Sequence, residues 1–367
     1  MPGGLGSTGR TGRAWWADAR EQAIRFLSHR GSRVAYAVSG SGPLVLLDVG
    51  RAHHLEAFWR HLPYRRFVQR LARQFTVVRW DRLGFGLSDR STVDLAPEAE
   101  IELVERLLRS LGSDRAAIVA ADDAGPIAVR FAARHPDRVS RLALFGTSAD
   151  GRLLGLALPA PAVEALITAG SSAIYTVAAA ALTAGSESVD AAWLASALEA
   201  SADLATMARL MVRLRHVDAR ADLPLVSAPT LVLHREGDAV VQAHLGRHLA
   251  SMVPGAAFVG LPGRAHLLYE GDPEPVLGAL VRFFAADGAA EPGPVETALS
   301  RRELEVVRMV TLGLTNAEIG GRLGICRRTV DAHMEHVRAK LGIRSRAHIA
   351  AWAVHNRLAV DADGRAT

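Results

Sequence analysis

The sequence predicts an α/β fold over its first three quarters and a small all-α unit after it. Short apolar runs rich in Val, Leu and Ile alternate with helix-like stretches from about residue 24 onward, the pattern of a parallel sheet covered by helices on both faces. A Gly/Pro/Ala-rich break at 285–294 (AADGAAEPGP) ends that alternation. Beyond it, two capping signatures and a glycine turn mark out consecutive short helices.

Taken in order, the strand candidates are 33–38, 44–47, 76–79, 116–119, 141–145, 230–234 and 257–261. Between 150 and 220 the chain is alanine-rich, has helical spacing and offers no strand candidate, so it reads as a helical insertion. Its uncharged stretch 165–186 is long enough to cross a bilayer. Built of Ala, Gly, Ser and Thr with little Leu or Phe, it reads instead as buried helix. The start, residues 1–13, is Gly-rich without an apolar core, so it reads as a loose tail rather than a signal peptide. The expected organisation is a tail over 1–23, an α/β domain over 24–286 with its insertion at about 150–220, a linker over 287–296 and a helical domain over 297–360.

At 367 residues the chain has room for two domains, and its 49% hydrophobic and 22% charged residues exclude a mainly disordered protein. The single cysteine, Cys326, excludes a disulfide framework and a cysteine-based zinc cluster. It also suits a reducing cytoplasm, the expected location. Charge is uneven. Residues 295–367 hold 12 Lys+Arg against 8 Asp+Glu, while the preceding 294 hold 31 against 30. The basic excess therefore sits in the tail, where it suits either nucleic acid or a solvated surface.

In that tail, Ser300–Glu303 and Thr315–Glu318 fit the capping box, in which a hydroxyl and a carboxylate satisfy orphan amides. Gly313 and Gly342 suit left-handed helix ends, and Leu323-Gly324-Ile325 makes a tight turn between the second and third helices. Across the third helix, 327–341, Val330, Met334, Val337 and Leu341 fall on one stripe, its expected buried face. Opposite lie Arg328, Asp331, Ala332, Glu335, His336 and Ala339. That face is either a solvated surface with local pairs or one that enters a major groove, where the small alanines would allow close approach.

Residues 299–353 closely resemble the DNA-binding domain of LuxR-type transcriptional regulators, through the leading Leu-Ser-x-Arg-Glu, the Thr-Asn-x-Glu-Ile, the Thr-Val-x-x-His and the Lys-Leu-Gly. The resemblance implies double-stranded DNA as partner and a homodimer joined through a fourth helix at about 345–356. By position, it implies base reading by Asp331, Ala332 and Glu335. Phosphate contacts would fall among Thr315, Asn316, Arg327, Arg328, Thr329, Arg338 and Lys340. The family commonly has basic or neutral residues where Asp331 and Glu335 stand. A carboxylate beside phosphates is costly unless it accepts from cytosine N4 or is held by an arginine, which predicts a half-site containing C/G.

Three segments of the α/β domain carry possible chemistry. Ala121-Asp-Asp-Ala-Gly125 follows a strand and precedes a helix, with small outer residues that permit a sharp turn presenting Asp123. His234-Arg-Glu-Gly-Asp238 places Asp238 just past a strand, and Pro262-Gly-Arg-Ala-His266 does the same for His266. Turn residue, acid, histidine is the chain order of a hydrolase triad.

Over nearly all of 24–286 the chain resembles the α/β-hydrolase fold with a helical cap, most like the esterase-like modules of bacterial regulators. The loop DRLGFGLSD (81–89) matches Asp-x-x-Gly-x-Gly-x-Ser, and VSRLALFG (139–146) matches the next strand. Val49-Gly50-Arg51 replaces the usual His-Gly-x, so the resemblance implies oxyanion amides at Arg51 and Ala124. It also places Asp123 where the family has serine. A carboxylate attacking an ester would only make an anhydride, so ordinary esterase chemistry is not expected. Aspartate is the nucleophile of haloalkane dehalogenases and epoxide hydrolases of this fold. Here, however, Ala124 stands where the former have a tryptophan, and the cap offers one tyrosine, Tyr175, where the latter use two. The reading that results is a ligand-responsive regulator binding a small, largely apolar molecule beneath the cap. The alternative is an active Asp123 hydrolase of an epoxide or alkyl halide. No metal or other cofactor is expected, because the His53-His54 pair lacks a third ligand at recognisable spacing, and no membrane association is expected.

Overall fold

The computed structural model describes residues 22–50, 53–90, 95–154, 165–166, 168–186, 190–214, 216–285, 300–341, 346 and 349. The chain divides into two compact units, Met1–Asp287 and Gly288–Thr367.

The larger unit is built on an eight-stranded sheet of β1 (Ala23–His29), β2 (Ser32–Ser39), β3 (Leu44–Asp48), β4 (Thr76–Trp80), β5 (Ala116–Ala121), β6 (Val139–Phe145), β7 (Thr230–Arg235) and β8 (Ala257–Leu261). The spatial order is β1-β2-β4-β3-β5-β6-β7-β8. Each apolar run expected as a strand falls within one of β2 to β8. From β4 through β8 the neighbours pair in parallel, whereas β1 with β2 and β2 with β4 are antiparallel. The antiparallel hairpin departs from the wholly parallel expectation, and its turn explains it. Arg30 and Gly31 both have positive φ, +48° and +78°, the conformation whose twist suits a two-residue hairpin.

Alternation along each strand buries both faces of the sheet. Val45 and Leu47 join a core with Val119, Phe145 and Leu233, whereas Leu46 joins a second core with Ile118, Leu144 and Val232. Helices cover each side: α1 (Leu55–Arg60), α2 (Leu62–Leu71), α3 (Pro97–Ser110), α4 (Ala124–Arg134), α8 (Ala243–Met252) and α9 (Glu274–Ala285). Between β6 and β7 lies a helical cap of α5 (Ala173–Leu182), α6 (Ala191–Ser201) and α7 (Leu204–Leu214). The cap's Ile174, Leu194 and Leu210 pack into the first of the two cores. No helix among the described residues is long and apolar enough to cross a membrane.

The smaller unit contains α10 (Arg301–Thr311), α11 (Asn316–Leu323) and α12 (Arg327–Leu341). Both capping boxes form, Ser300 with Glu303 and Thr315 with Glu318. Gly324 ends α11 in the left-handed region at φ +66°, which turns the chain into α12. Val330, Met334 and Val337 are buried against Val306, Val310 and Ile319, so the stripe expected on α12 is its inner face. The Leu341 side chain and Gly342 lie outside the described residues, as does the expected fourth helix apart from residues 346 and 349.

Candidate functional site

β5 is buried along its whole length and delivers the chain at its carboxyl end to a sharp turn. Asp122 makes that turn at φ +50°, a conformation rare for a residue with a side chain. It is held in place from three sides. Its amide donates to the Phe145 carbonyl at 3.2 Å, and its own carbonyl accepts from the Thr147 hydroxyl at 2.6 Å and the Gly125 amide at 3.2 Å. Opposite stands His266, in the loop after β8, with Nε2 3.7 Å from Asp122 Oδ2. The other ring nitrogen, Nδ1, donates to Asp238 Oδ2 at 2.8 Å. Asp238, in the loop after β7, is oriented by the amides of Val240 and Val241, which donate to its Oδ1 at 2.9 and 3.2 Å.

All three side chains are buried. Burial alone would lower the His266 pKa, but its interactions with Asp122 and Asp238 outweigh that and push it up to about 9. The two neighbouring acids thus favour the protonated, imidazolium form of the ring. A buried arginine fixes the loop that carries it. Arg235, at the end of β7, donates to the carbonyls of Ala265 (2.6 Å), Leu267 (2.9 Å), Glu270 (2.5 Å) and Asp272 (3.2 Å).

Asp123 does not occupy the position expected for it. It is the N-cap residue of α4, fully buried, and its Oδ2 accepts from Arg82 Nη1 at 2.9 Å rather than facing His266. The turn residue is Asp122, one position earlier. Ala124 correspondingly becomes the first residue of α4, and the amide that follows the turn residue belongs to Asp123. Gly50 lies against the turn with φ +77°. A Cβ there would come within 2.7 Å of Asp123 Oδ1 and 3.2 Å of Asp122 Cβ, so the close approach admits only glycine. Arg51 lies outside the described residues. Tyr175 is buried in the cap and donates its hydroxyl proton to the Ala202 carbonyl at 2.8 Å, so that proton is already used. His53 sits between Asp81 (3.1 Å) and the Tyr64 hydroxyl (2.8 Å), while His54 caps α1.

In the smaller unit, Arg327, Arg328, Asp331, Ala332, Glu335 and His336 are exposed on the outer face of α12.

Comparison with known proteins assigns both units. Residues 297–353 match the luxR family of bacterial regulatory proteins, and residues 43–172 match the alpha/beta hydrolase fold. The chain carries a LuxR-type DNA-binding domain joined to an α/β-hydrolase domain. A hydrolase from Pseudomonas aeruginosa superposes with a TM-score of 0.60 at 27% identity, over 72% of this chain and 98% of that one. An uncharacterised protein of Mycobacterium tuberculosis is 32% identical over 127 residues, 35% of this chain and 36% of its own length. The cis-3-alkyl-4-alkyloxetan-2-one decarboxylase of Shewanella oneidensis is 33% identical over 142 residues, 36% of this chain and 42% of its own length. The chain thus spans well under half the length of these curated relatives.

In the LuxR-type domain, Asp331 accepts from Asn316 Nδ2 at 2.7 Å and lies 3.9 Å from Arg327, so its charge is held by neighbours. Glu335 makes no ion pair among the described residues. Thr315 caps α11, and the Thr329 hydroxyl lies 3.2 Å from Cys326 Sγ. Arg338 is half-buried, with Nε lacking a partner among the described residues. Lys340 is exposed and pairs with Glu303, its Nζ 2.7 and 3.0 Å from that carboxylate. His333 and His336 also approach Glu303, the three offering donor atoms within 4.8 Å of one another. Glu303 is already committed to Lys340 and to the Ser300 amide at 2.6 Å, so the group reads as a tie between helices.

Sequence reasoning missed Asp122, Arg82 and Arg235. For Asp122 the signal was present but ambiguous, because small residues flank either frame, 120–124 as well as 121–125. Arg82 lies inside the recognised loop 81–89 without any sign of its partners.

Proposed function

We propose that the chain is a cytoplasmic, homodimeric transcriptional regulator whose α/β-hydrolase domain receives a small, largely apolar molecule beneath the cap, held at Asp122, His266 and Asp238. The observation that carries this reading is the geometry of His266, buried with Nδ1 2.8 Å from Asp238 and Nε2 3.7 Å from Asp122. An imidazolium clamped between two carboxylates is a buried donor for a ligand's polar group, and in that state it cannot accept a proton from water. The name of the Shewanella relative, an oxetan-2-one bearing two alkyl groups, describes a molecule of that character. Binding acts on DNA only insofar as the ligand prefers one arrangement of the dimer, with a typical coupling of about 1–3 kcal/mol.

A second reading has its own support. The left-handed Asp122, facing His266, has the placement of a nucleophile, and attack on an sp³ carbon would convert it to an ester. Loss of the Asp122 charge would remove one interaction that keeps the ring protonated, freeing it to act as a base. Against turnover of an alkyl halide, the side chain after Asp122 is the Asp123 carboxylate, paired with Arg82, which offers no donor to a departing anion. The Tyr175 proton, already donated to Ala202, is not available to an epoxide oxygen.

The test combines selection of bound duplexes from a random pool with binding isotherms on the selected site. The isotherms are run with and without each small molecule that co-purifies with the chain. A change in DNA affinity of five-fold or more is expected for at least one of them. Affinities unmoved by every molecule that occupies the domain would defeat the coupling.

A further inference from the structure

Four charged residues from four different elements form a continuous buried chain that ends in the cap. Asp123, next to the turn residue, holds Arg82 at 2.9 Å, and Arg82 also lies 3.3 Å from Asp48 at the end of β3. Arg82 Nε lies 3.6 Å from Glu100 on α3, and Glu100 Oε1 accepts from Arg213 Nη1 at 2.6 Å. Arg213 belongs to cap helix α7 and also donates to the Leu95 carbonyl at 2.8 Å. Arg82 and Asp123 are essentially inaccessible, and the Glu100 and Arg213 side chains are about 10% exposed.

We propose that Arg82 is a positioning residue that couples the Asp122 turn to the seating of the cap through Asp123, Glu100 and Arg213. Three carboxylates share its one guanidinium, and none can lose a partner cheaply in this setting. If α7 lifts, Arg213 leaves Glu100, and the Glu100 charge then pulls on Arg82. The guanidinium shifts away from Asp123, whose backbone is the next link after Asp122 and whose Oδ1 abuts Gly50. The loop that carries Arg82 touches the cap independently. Its Gly86 amide donates to the Ser201 carbonyl at 2.7 Å, and Arg90 donates to the Ala200 carbonyl at 2.7 Å. Turn and cap therefore move between paired arrangements rather than separately.

This inference rests on the cap-and-site reading above, but its test needs no ligand. In the full chain, hydrogen exchange is followed in α7 and in α4 for Asp123→Asn, Arg213→Met and the double variant, while NMR follows the His266 titration. Asp123→Asn is expected to speed exchange in α7 three- to ten-fold although the two residues do not touch, and the double variant should add little to the larger single effect. Arg213→Met should raise the His266 midpoint by several tenths of a pH unit. Arg213→Lys should restore it. Arg209→Met, which removes the same charge from the exposed face of the same helix, should leave it in place. Effects confined to each variant's own helix and multiplying in the double, or equal shifts for Arg209 and Arg213, would overturn the coupling. If Arg213→Met does not fold, Glu100→Gln cuts the chain at its middle with the same expectations. Failure here leaves ligand sensing standing, whereas DNA binding indifferent to every ligand would defeat sensing and leave the relay intact.

Discussion

The two units use charge in opposite ways. In the α/β-hydrolase domain the decisive charges are buried and shared: His266 lies between Asp122 and Asp238, and Arg82 among Asp48, Glu100 and Asp123. In the LuxR-type domain the outer face of α12 keeps Arg327, Arg328 and Glu335 in solvent, over a core of aliphatic residues. Buried charge couples function to stability, because a group removed there strands its partner. Exposed charge leaves the two separable, so the outer face of α12 can change without disturbing the fold beneath it.

The sharpest way to break this contrast is Arg82→Met. It leaves Asp48, Glu100 and Asp123 without their shared cation and should cost the larger unit about 3–5 kcal/mol in urea unfolding. A loss under about 1 kcal/mol would mean that the network is solvated, and the contrast would fail.

A pH series sharpens it next. The His266 pKa is raised from the ordinary 6.5 to about 9 on folding, so its contribution is fully present below pH 6.5 and disappears as pH rises through 9. Unfolding free energy of the larger unit should therefore fall by roughly 3 kcal/mol across that window, and Asp122→Asn should flatten the fall. The LuxR-type domain, followed by its own exchange-protected amides, should show no such slope.

On the exposed side, Glu335→Gln should relax base preference at one position of the selected site, by about 1–3 kcal/mol, with thermal unfolding unchanged. An identical selected sequence would show that Glu335 reads no base. Ser300→Ala or Thr315→Ala should each cost about 1 kcal/mol in the smaller unit, since each removes a capping hydroxyl. The smallest expected stability effect is that of Arg328→Ala, within about 0.5 kcal/mol. Its signature lies instead in DNA binding, where the slope of log affinity against log salt should drop by about one.

How much could be read beforehand follows the same division. The bounds of α12, its inner stripe and both capping boxes were legible, because helix signals repeat: caps, a left-handed glycine and 3.6-residue spacing all point to one register. Strands β2 to β8 were legible as continuous apolar runs. β1 was not, since its alternation leaves Phe26 and Ser28 exposed on a sheet edge and no such run appears. In the site, Asp238 and His266 were legible from their places just past strands. Asp122 was not, because small residues on either side allow the turn to fall on 122 or 123, and the backbone dihedral decides between them. Arg82's partners come from β3, α3 and α4, positions that no local pattern connects.

The proposed role of the Asp122, His266 and Asp238 site is to hold a small molecule without bonding to it. Mass spectrometry of the full chain, native and then denatured, tests it most directly, after exposure to extract of its own cells and to a panel of epoxides, alkyl halides and oxetan-2-ones. The account predicts an added mass in the native spectrum that vanishes on denaturation and is lost in Asp122→Asn. An added mass that survives denaturation and maps to Asp122 would contradict it, and would make the domain an enzyme that forms an ester.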